Sequence, residues 1–344
     1  VTGWPAPVVR FGAGAREQLA SVCDELAVSR PLLVATRRGA AAGAVLPVVA
    51  VYDGVRPHVP VETVHEAAAL ARAQRADCLV GLGGGAAIDT CKAAAAELAA
   101  AGEDVPRIVA VPTTYAGAEW TPFFGVLLAP GRKGGGSDER ARPAAALYDP
   151  ELTLDLPLPD TVGTAMNALA HCAEAYYAPG ADERAAKCAA AGAEALAYAL
   201  PRVVAEPRSL SARSRMLEGA MQGAFALGFA GLCLAHAMAQ ALGGRYGLPH
   251  GAMNAICLPP ALRFNAEAVP GAVARFAGAL GVDDAPARCE ELARLGGFAR
   301  LRDHGVPAAE LSAVAAAAAA RPGARANPRP VDAALVEELL RSVW

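Results

Sequence analysis

Three short strings in this chain of 344 residues carry residue types that can do chemistry. The first, Val80-Gly-Leu-Gly-Gly-Gly-Ala-Ala-Ile-Asp89, sets Gly83, Gly84 and Gly85 between an apolar run and a helical stretch. Glycines at a strand-to-helix turn let a diphosphate approach the backbone, and the N–H groups and positive dipole end of the helix stabilise it. The same string also reads as a tight turn with no ligand. The second, Val111-Pro-Thr-Thr-Tyr-Ala-Gly-Ala-Glu-Trp-Thr121, follows another apolar run. Thr113 and Thr114 offer hydroxyls to a phosphate or ribose, and Gly117 offers close backbone approach; as an isolated string it is an ordinary polar loop. The third constellation is spread out: Asn167 and His171 in Met166-Asn-Ala-Leu-Ala-His171, His236 and Gln240 in His236-Ala-Met-Ala-Gln240, and His250 in Leu248-Pro-His250. A spacing of four puts both members of a pair on one helix face. Each histidine alone reads as a hydrogen-bonded core imidazole; together they suggest a cluster that binds a metal or a polar substrate.

The elements that must position these residues follow from the apolar pattern. Pro31–Thr36, Val48–Tyr52, Asp77–Gly81 and Arg107–Pro112 are short, continuous and apolar, as strands buried on both faces are. An amphipathic helix over Val61–Gln74 joins the second to the third, and a helix from about Ala87 to Ala101 joins the third to the fourth. This alternation predicts a doubly wound parallel sheet, with both glycine-bearing strings on the rim where open α/β folds bind ligands. After Pro157 and Pro159 the strand pattern stops and helical periodicity, broken by Gly and Pro, runs to Trp344. The expected organisation is an α/β dinucleotide-binding domain over 1–157 and an all-helical substrate or metal domain over 158–344. Pro130–Ser137, rich in Gly and Arg, reads as a mobile hairpin or loop.

Composition excludes other classes. The chain is 54% hydrophobic and 19% charged with a net charge of -3, which rules out a disordered chain and gives no basic field for nucleic acid. No uninterrupted apolar run has the length of a membrane span, and the start lacks the layout of a signal peptide, so a soluble cytoplasmic protein is expected. The eight cysteines form no CxxC pair and are read as reduced.

With these strings in view, the sequence resembles the iron-containing alcohol dehydrogenase superfamily, and within it the maleylacetate reductases. The resemblance runs almost the full length: Phe11-Gly-Ala-Gly14, Asp53-Gly-Val, His58-Val-Pro-Val-Glu62, the Gly83–Gly85 turn, Pro112-Thr-Thr-Tyr-Ala-Gly117 with Glu119 and Thr121, Leu147-Tyr-Asp-Pro-Glu-Leu-Thr153, Met166–His171, Leu248-Pro-His250 and Asn327-Pro-Arg-Pro-Val-Asp332. It implies a dehydroquinate-synthase-like scaffold, a homodimer through the first domain, with which an Ala- and Gly-rich surface strand near the N-terminus is compatible, and NADPH or NADH in the cleft between domains. Gly83, Gly84 and Gly85 would hold the diphosphate with Ala86 and Asp89 beside them, and Thr113 and Thr114 would contact the cofactor. His171, His236, His250, Gln240 and Tyr115 would form the catalytic group facing the nicotinamide. Maleylacetate reductases add hydride to the double bond of a 4-oxo-2-enedioate, giving 3-oxoadipate.

The resemblance also bears on metal. Metal-dependent members place Asp at the position of Asn167 and complete the set with histidines matching His171, His236 and His250. The reductases resemble this chain in having Asn there and work without metal. A neutral amide is a poorer ligand for a hard dication, so Fe(II) or Zn(II) on these residues is not favoured, although three imidazoles can hold a catalytic metal.

Departures from the family pattern bear on the substrate. Gln240 stands where a second histidine is usual, and glutamine cannot donate a proton near neutral pH. Ala86 replaces a serine, Pro260 a histidine, and Trp120 a smaller side chain, so the pocket is expected to have fewer polar donors and an aromatic wall at Trp120 beside Asn167. Met253-Asn-Ala-Ile256 is closer to the general alcohol dehydrogenases. The resemblance implies maleylacetate as substrate, whereas these changes point to a related but less polar enone, keto acid or aldehyde. A metal-dependent alcohol dehydrogenase, or a non-redox elimination or cyclisation on the same scaffold, is the alternative. Arg37, after the strand ending at Thr36, stands where NAD-preferring relatives often carry Asp; it reads as a partner for a 2′-phosphate or as a solvated basic turn.

Overall fold

The computed structural model describes residues 7–129 and 132–344. Residues 1–6 of the start, and Pro130 and Gly131 of the Gly/Arg-rich segment, lie outside the described residues. The elements in chain order are β1 Val8–Phe11, α1 Leu19–Glu25, β2 Pro31–Ala35, α2 Arg37–Ala42, β3 Ala50–Tyr52, α3 Val61–Gln74, β4 Cys78–Gly83, α4 Gly85–Ala100, β5 Arg107–Pro112, β6 Phe123–Ala129, β7 Arg132–Ser137 and β8 Ala145–Tyr148. The helices α5 Leu158–Glu174, α6 Glu183–Ala205, α7 Leu210–Ala230, α8 Leu234–Tyr246, α9 His250–Ala266, α10 Pro270–Ala279, α11 Ala285–Arg294, α12 Leu311–Ala319, α13 Pro322–Arg325 and α14 Ala333–Ser342 follow.

Six strands form one sheet in the order β1-β8-β5-β4-β2-β3, every pair parallel. Alternate residues of β2 divide between two cores. Leu32 and Val34 join Ala67, Ala68, Leu79 and Cys91 on one face, and Leu33 and Ala35 join Leu19, Val22, Val80 and Leu82 on the other. Burial on both faces is why these strands read as continuous apolar runs rather than alternating ones. The sequence does not reveal β8: its Ala145-Ala-Leu-Tyr148 has little strand propensity, and pairing with β1 and β5 recruits it. A separate antiparallel hairpin, β6–β7, carries the Gly/Arg-rich segment.

The chain divides into two compact units. One runs up to Thr114 and resumes over Ala118–Asp155; the other holds Tyr115–Gly117 and Leu156–Trp344. The second is all helical. Its α6 is long and apolar enough, by length and composition, to cross a membrane. It also carries Glu183, Arg184, Lys187, Glu194 and Arg202, and it buries Ala185, Ala189, Ala193 and Leu196, as an amphipathic bundle helix does.

Candidate active site

In the sheet, β3 lies outside β2 and β5 outside β4, so the chain changes direction between β2 and β4. Open α/β sheets bind ligands beyond the strand ends at such a switch point. The register pairs Ala35 with Leu82 and Gly83 with Pro112, which brings Thr36–Arg38, Gly83–Ala86 and Thr113–Thr114 side by side on one rim. Gly83 has φ +155°, a conformation a side chain would strain, and its carbonyl accepts from the Thr113 N–H at 2.9 Å. Gly84 caps α4 without a side-chain bond, and no acidic residue stands in the first turn. A Cβ on Gly84 would lie 3.0 Å from Thr114 Cγ2, and the buried Thr114 hydroxyl has no partner. An uncapped helix N-terminus, a turn kept clear of side chains and an unpaired hydroxyl together fit the diphosphate of a dinucleotide.

Ala86 brings only backbone to this turn, its carbonyl accepting from the Thr90 hydroxyl at 2.7 Å. Arg37 is exposed in the first turn of α2, which Thr36 caps by accepting from the Gly39 N–H. Two residues assigned to the ligand from sequence have other work. Asp89 Oδ2 accepts from the Gly125 N–H at 3.1 Å and Oδ1 faces the buried Lys92 ammonium at 3.5 Å, so this carboxylate pins the β6–β7 hairpin to α4. Trp120 is no pocket wall. It is 1% exposed in the first unit, its indole N–H donating to the Tyr148 hydroxyl at 2.7 Å, which in turn donates to Glu119. An aromatic with a polar handle is stable in a core when that handle finds a partner.

The helical unit gathers the histidines. Asn167, His171 and Glu174 lie along one face of α5, His236 on the first turn of α8, and His250 and Asn254 on the first turns of α9. The His171 and His236 rings stack at 4.9 Å with an angle of 11°, and His236 and His250 lie 5.8 Å apart at 46°. Gly117, which reads from sequence as a site of ligand approach, serves His171 instead. Its φ is +78°, and a Cβ there would come within 3.2 Å of His171 Nδ1 and Cε1.

Glu174 orders this cluster. It is fully buried, and it accepts from the Cys233 N–H at 2.7 Å, the Ala235 N–H at 2.9 Å and the His236 N–H at 3.4 Å. A carboxylate is thereby held at the N-terminus of α8, where unpaired N–H groups and the helix dipole stabilise its charge. Its Oε2 also lies 2.8 Å from His236 Nδ1. The carboxylate can only accept, so Nδ1 carries hydrogen and Nε2 presents its lone pair; Nε2 is buried without a partner. His171 is buried beside two other imidazoles, and burial first, then the charges His236 and His250 could carry, push its pKa well below the ordinary histidine value. It is neutral at pH 7.

Asn167 is saturated. Its Nδ2 donates to the Ala116 carbonyl at 2.8 Å and its Oδ1 accepts from Asn254 Nδ2 at 2.6 Å. The Ala116 carbonyl fixes the amide orientation, because only N–H can face it. The amide oxygen is already bonded to Asn254 Nδ2. With both amide atoms bonded, Asn167 offers a dication no free ligand atom. No group of three or more His, Cys, Asp or Glu among the described residues is arranged to hold one.

Gln240 follows His236 by one turn of α8, but its Oε1 accepts from Arg321 Nη1 at 3.2 Å and its carbonyl from Nη2 at 3.3 Å. Tyr115 departs from its expected catalytic place. It is buried, and its hydroxyl accepts from Arg213, which also donates to Thr161 and to the Pro207 carbonyl, a network internal to the bundle. Sequence reasoning passed over Glu174, Asn254 and Arg321. Two of them left a trace: Glu174 is an acid three residues after His171 in the apolar last turns of α5, and Asn254 follows His250 by four.

Two family models match, one for each unit. Residues 6–150 match the iron-containing alcohol dehydrogenase model, and residues 161–344 match the C-terminal model of the Fe-containing alcohol dehydrogenase family. The chain is 38% identical over 346 residues to maleylacetate reductase of Pseudomonas knackmussii, covering 98% of this chain and 96% of the relative. It is 36% identical over 343 residues to that of Sphingobium indicum, covering 97% and 95%. The crystal structure of maleylacetate reductase from Rhizobium sp. strain MTP-10005 superposes with a TM-score of 0.89 at 33% identity, covering 100% of this chain and 97% of that one. Matched family models over both units and relatives aligned along nearly their full length agree: this chain belongs to the iron-containing alcohol dehydrogenase family and is an NAD(P)H-dependent oxidoreductase resembling the maleylacetate reductases.

Proposed function

We propose that the protein reduces the carbon–carbon double bond of maleylacetate, or of a closely related 4-oxo-2-enedioate, with NADPH or NADH and without a catalytic metal. The observation that carries this reading is the Glu174–His236 pair with an unpartnered His236 Nε2. A nicotinamide cofactor held on the Gly83–Gly85 turn would supply hydride to the alkene carbon β to the ketone. The alkene π pair then becomes the carbon–carbon double bond of an enolate, the carbonyl π pair moves onto the ketone oxygen, and the enolate must take a proton at the α carbon. The His236 Nε2 lone pair takes up a proton from solvent before turnover and passes it to the α carbon, because Glu174 holds Nδ1–H and stabilises the intervening imidazolium. His171, neutral and stacked on His236, adds no second positive charge that would drive this proton off. Asn167 and Asn254 hold α5 and α9 in register around the pair through their 2.6 Å bond. Bound amides in place of a carboxylate support chemistry that runs on a proton donor rather than a Lewis acid.

On this reading 1–157 binds the cofactor and 158–344 the substrate, on a dehydroquinate-synthase-like scaffold. The protein works in the cytoplasm as a homodimer joined through the first unit. In support of the last point, β1 is an edge strand of the sheet and its Phe11 is 40% exposed. Arg37, exposed on the rim, supports acceptance of the NADPH 2′-phosphate.

The test follows nicotinamide absorbance with maleylacetate, using NADPH and NADH, before and after chelation. Oxidation that survives chelation, at least as fast with NADPH, is expected. No oxidation would remove maleylacetate as substrate. Activity lost to the chelator and restored by Fe(II) or Zn(II) would overturn the metal-free reading. An NADH preference above about tenfold, ~1.4 kcal/mol, would dismiss Arg37 as a phosphate partner.

A further inference from the structure

Arg321 stands out among the buried cations of the helical unit. Its guanidinium is half-buried, and its hydrogen bonds go to the Gln240 side chain and carbonyl, both neutral acceptors. Its Nε is buried without a partner, and no carboxylate of the described residues pairs with it. Arg213, by contrast, is 2% exposed and donates from both Nε and Nη1 to three acceptors, as a structural arginine does. Arginine cannot shed its proton in a protein, so a desolvated guanidinium lacking a counter-charge is held at a cost until an anion arrives. Burial alone pulls its pKa down, the direction expected of a cation without an anionic partner.

Its place in the fold ties it to the histidines. The segment from Arg321 to Ala326 runs along α8: a Cβ on Gly323 would lie 2.7 Å from the Cys233 carbonyl, and the Cys233 thiol donates to the Ala326 carbonyl at 3.6 Å. Cys233, the N-cap of α8, precedes His236 by three residues and Gln240 follows it by four, so Arg321 is anchored to a residue one turn along α8 from the proposed proton donor. Gln240, whose amide cannot replace a histidine as an acid, has a different task here. Its oxygen anchors the Nη1 side of the guanidinium and leaves the Nε edge unsatisfied.

We propose that Arg321, held by Gln240, binds a carboxylate of the substrate and makes the site selective for dicarboxylates. A guanidinium edge offers two parallel N–H groups in the geometry a carboxylate accepts. The inference rests on the proposed reductase reading for the identity of the acid, and the experiment separates the two. KM and kcat for maleylacetate, and KM for NADPH, are compared in wild type, R321Q and R321K, alongside calorimetric titration with 3-oxoadipate, the saturated dicarboxylate. R321Q should raise KM for maleylacetate by about tenfold or more with KM for NADPH unchanged, R321K should fall between, and 3-oxoadipate affinity should drop in parallel. Turnover of maleylacetate with a wild-type KM in R321Q would overturn the role of Arg321 and leave the reductase reading intact. A wild type that does not turn over maleylacetate, yet binds 3-oxoadipate in an Arg321-dependent way, would overturn the reductase reading and uphold this one. If neither turnover nor 3-oxoadipate binding is seen, both fall. Should R321Q fail to fold, R321K decides: a wild-type KM there overturns the proposal, because a lysine lacks the paired donors.

Discussion

At the glycine rim of the first unit the working groups belong to the backbone, whereas in the helical unit they are side chains delivered by α5, α8 and α9. The rim keeps space and unpaired N–H groups open: Gly84 caps α4 with nothing, and Thr114 leaves its hydroxyl unpaired. The cluster is closed and nearly saturated, with Glu174 and Asn167 bonded on every side and a few lone pairs, His236 Nε2 among them, left over. A generic ligand such as a diphosphate needs room and a helix end. A reaction-specific proton needs one tautomer held in one place, which takes a buried partner.

If the contrast is right, the largest effect comes from the cluster. His236→Gln should cut kcat by about 10²- to 10⁴-fold with KM for the nicotinamide cofactor unchanged. Glu174→Gln should follow it part of the way and also lower Tm, since Gln presents N–H toward donors that need an acceptor. A kcat within a few-fold of wild type in both variants would take the proton donor away from this pair.

Asn167→Asp tests saturation. A carboxylate facing the Ala116 carbonyl loses that bond and meets its lone pair, so unfolding in denaturant should show a loss of about 1–3 kcal/mol. Unchanged stability would mean the amide is not locked as described. At the rim, Gly84→Val should raise KM for NADPH by about tenfold, ~1.4 kcal/mol, and leave kcat near wild type, because the added carbons crowd Thr114. A matching fall in kcat would blur the division of labour between the two regions.

The smallest effect is in pH. The folded pKa of His171 lies well below its unfolded value of about 6.5, so above that pH both states are neutral there and its contribution is complete. As pH falls below about 6.5 the unfolded chain takes up a proton that the folded one refuses, and stability drops toward the folded pKa. Melting temperatures between pH 7 and pH 5 should fall, and fall less in His171→Gln.

Much of the sheet was legible because it is local. Strand β5 runs from Arg107 to Pro112 and helix α3 from Val61 to Gln74, as their apolar patterns predict, and the turn at Gly83–Gly85 announces itself in contiguous residues. Strand β8 escaped because alanines carry no strand signal, and Trp120 was misplaced because a large aromatic beside a polar loop reads as well for a pocket as for a core. The histidine set was visible as two pairs spaced by four, Asn167 with His171 and His236 with Gln240, and one further histidine, His250. Their partners were not, since Glu174 meets His236 across 62 positions of sequence and Gln240 meets Arg321 across 81.

By itself the sequence determined the parallel sheet, the glycine turn at the end of β4 and the helix faces on which the histidines sit, because periods of 2 and 3.6 and a run of glycines are properties of neighbouring residues. Only the tertiary structure decided which tautomer His236 holds, that Asn167 is bonded rather than available to a metal, and that Gln240 steers an arginine. Those outcomes depend on donors and acceptors that chain folding brings together from distant positions, and each is fixed by the partner rather than by the residue.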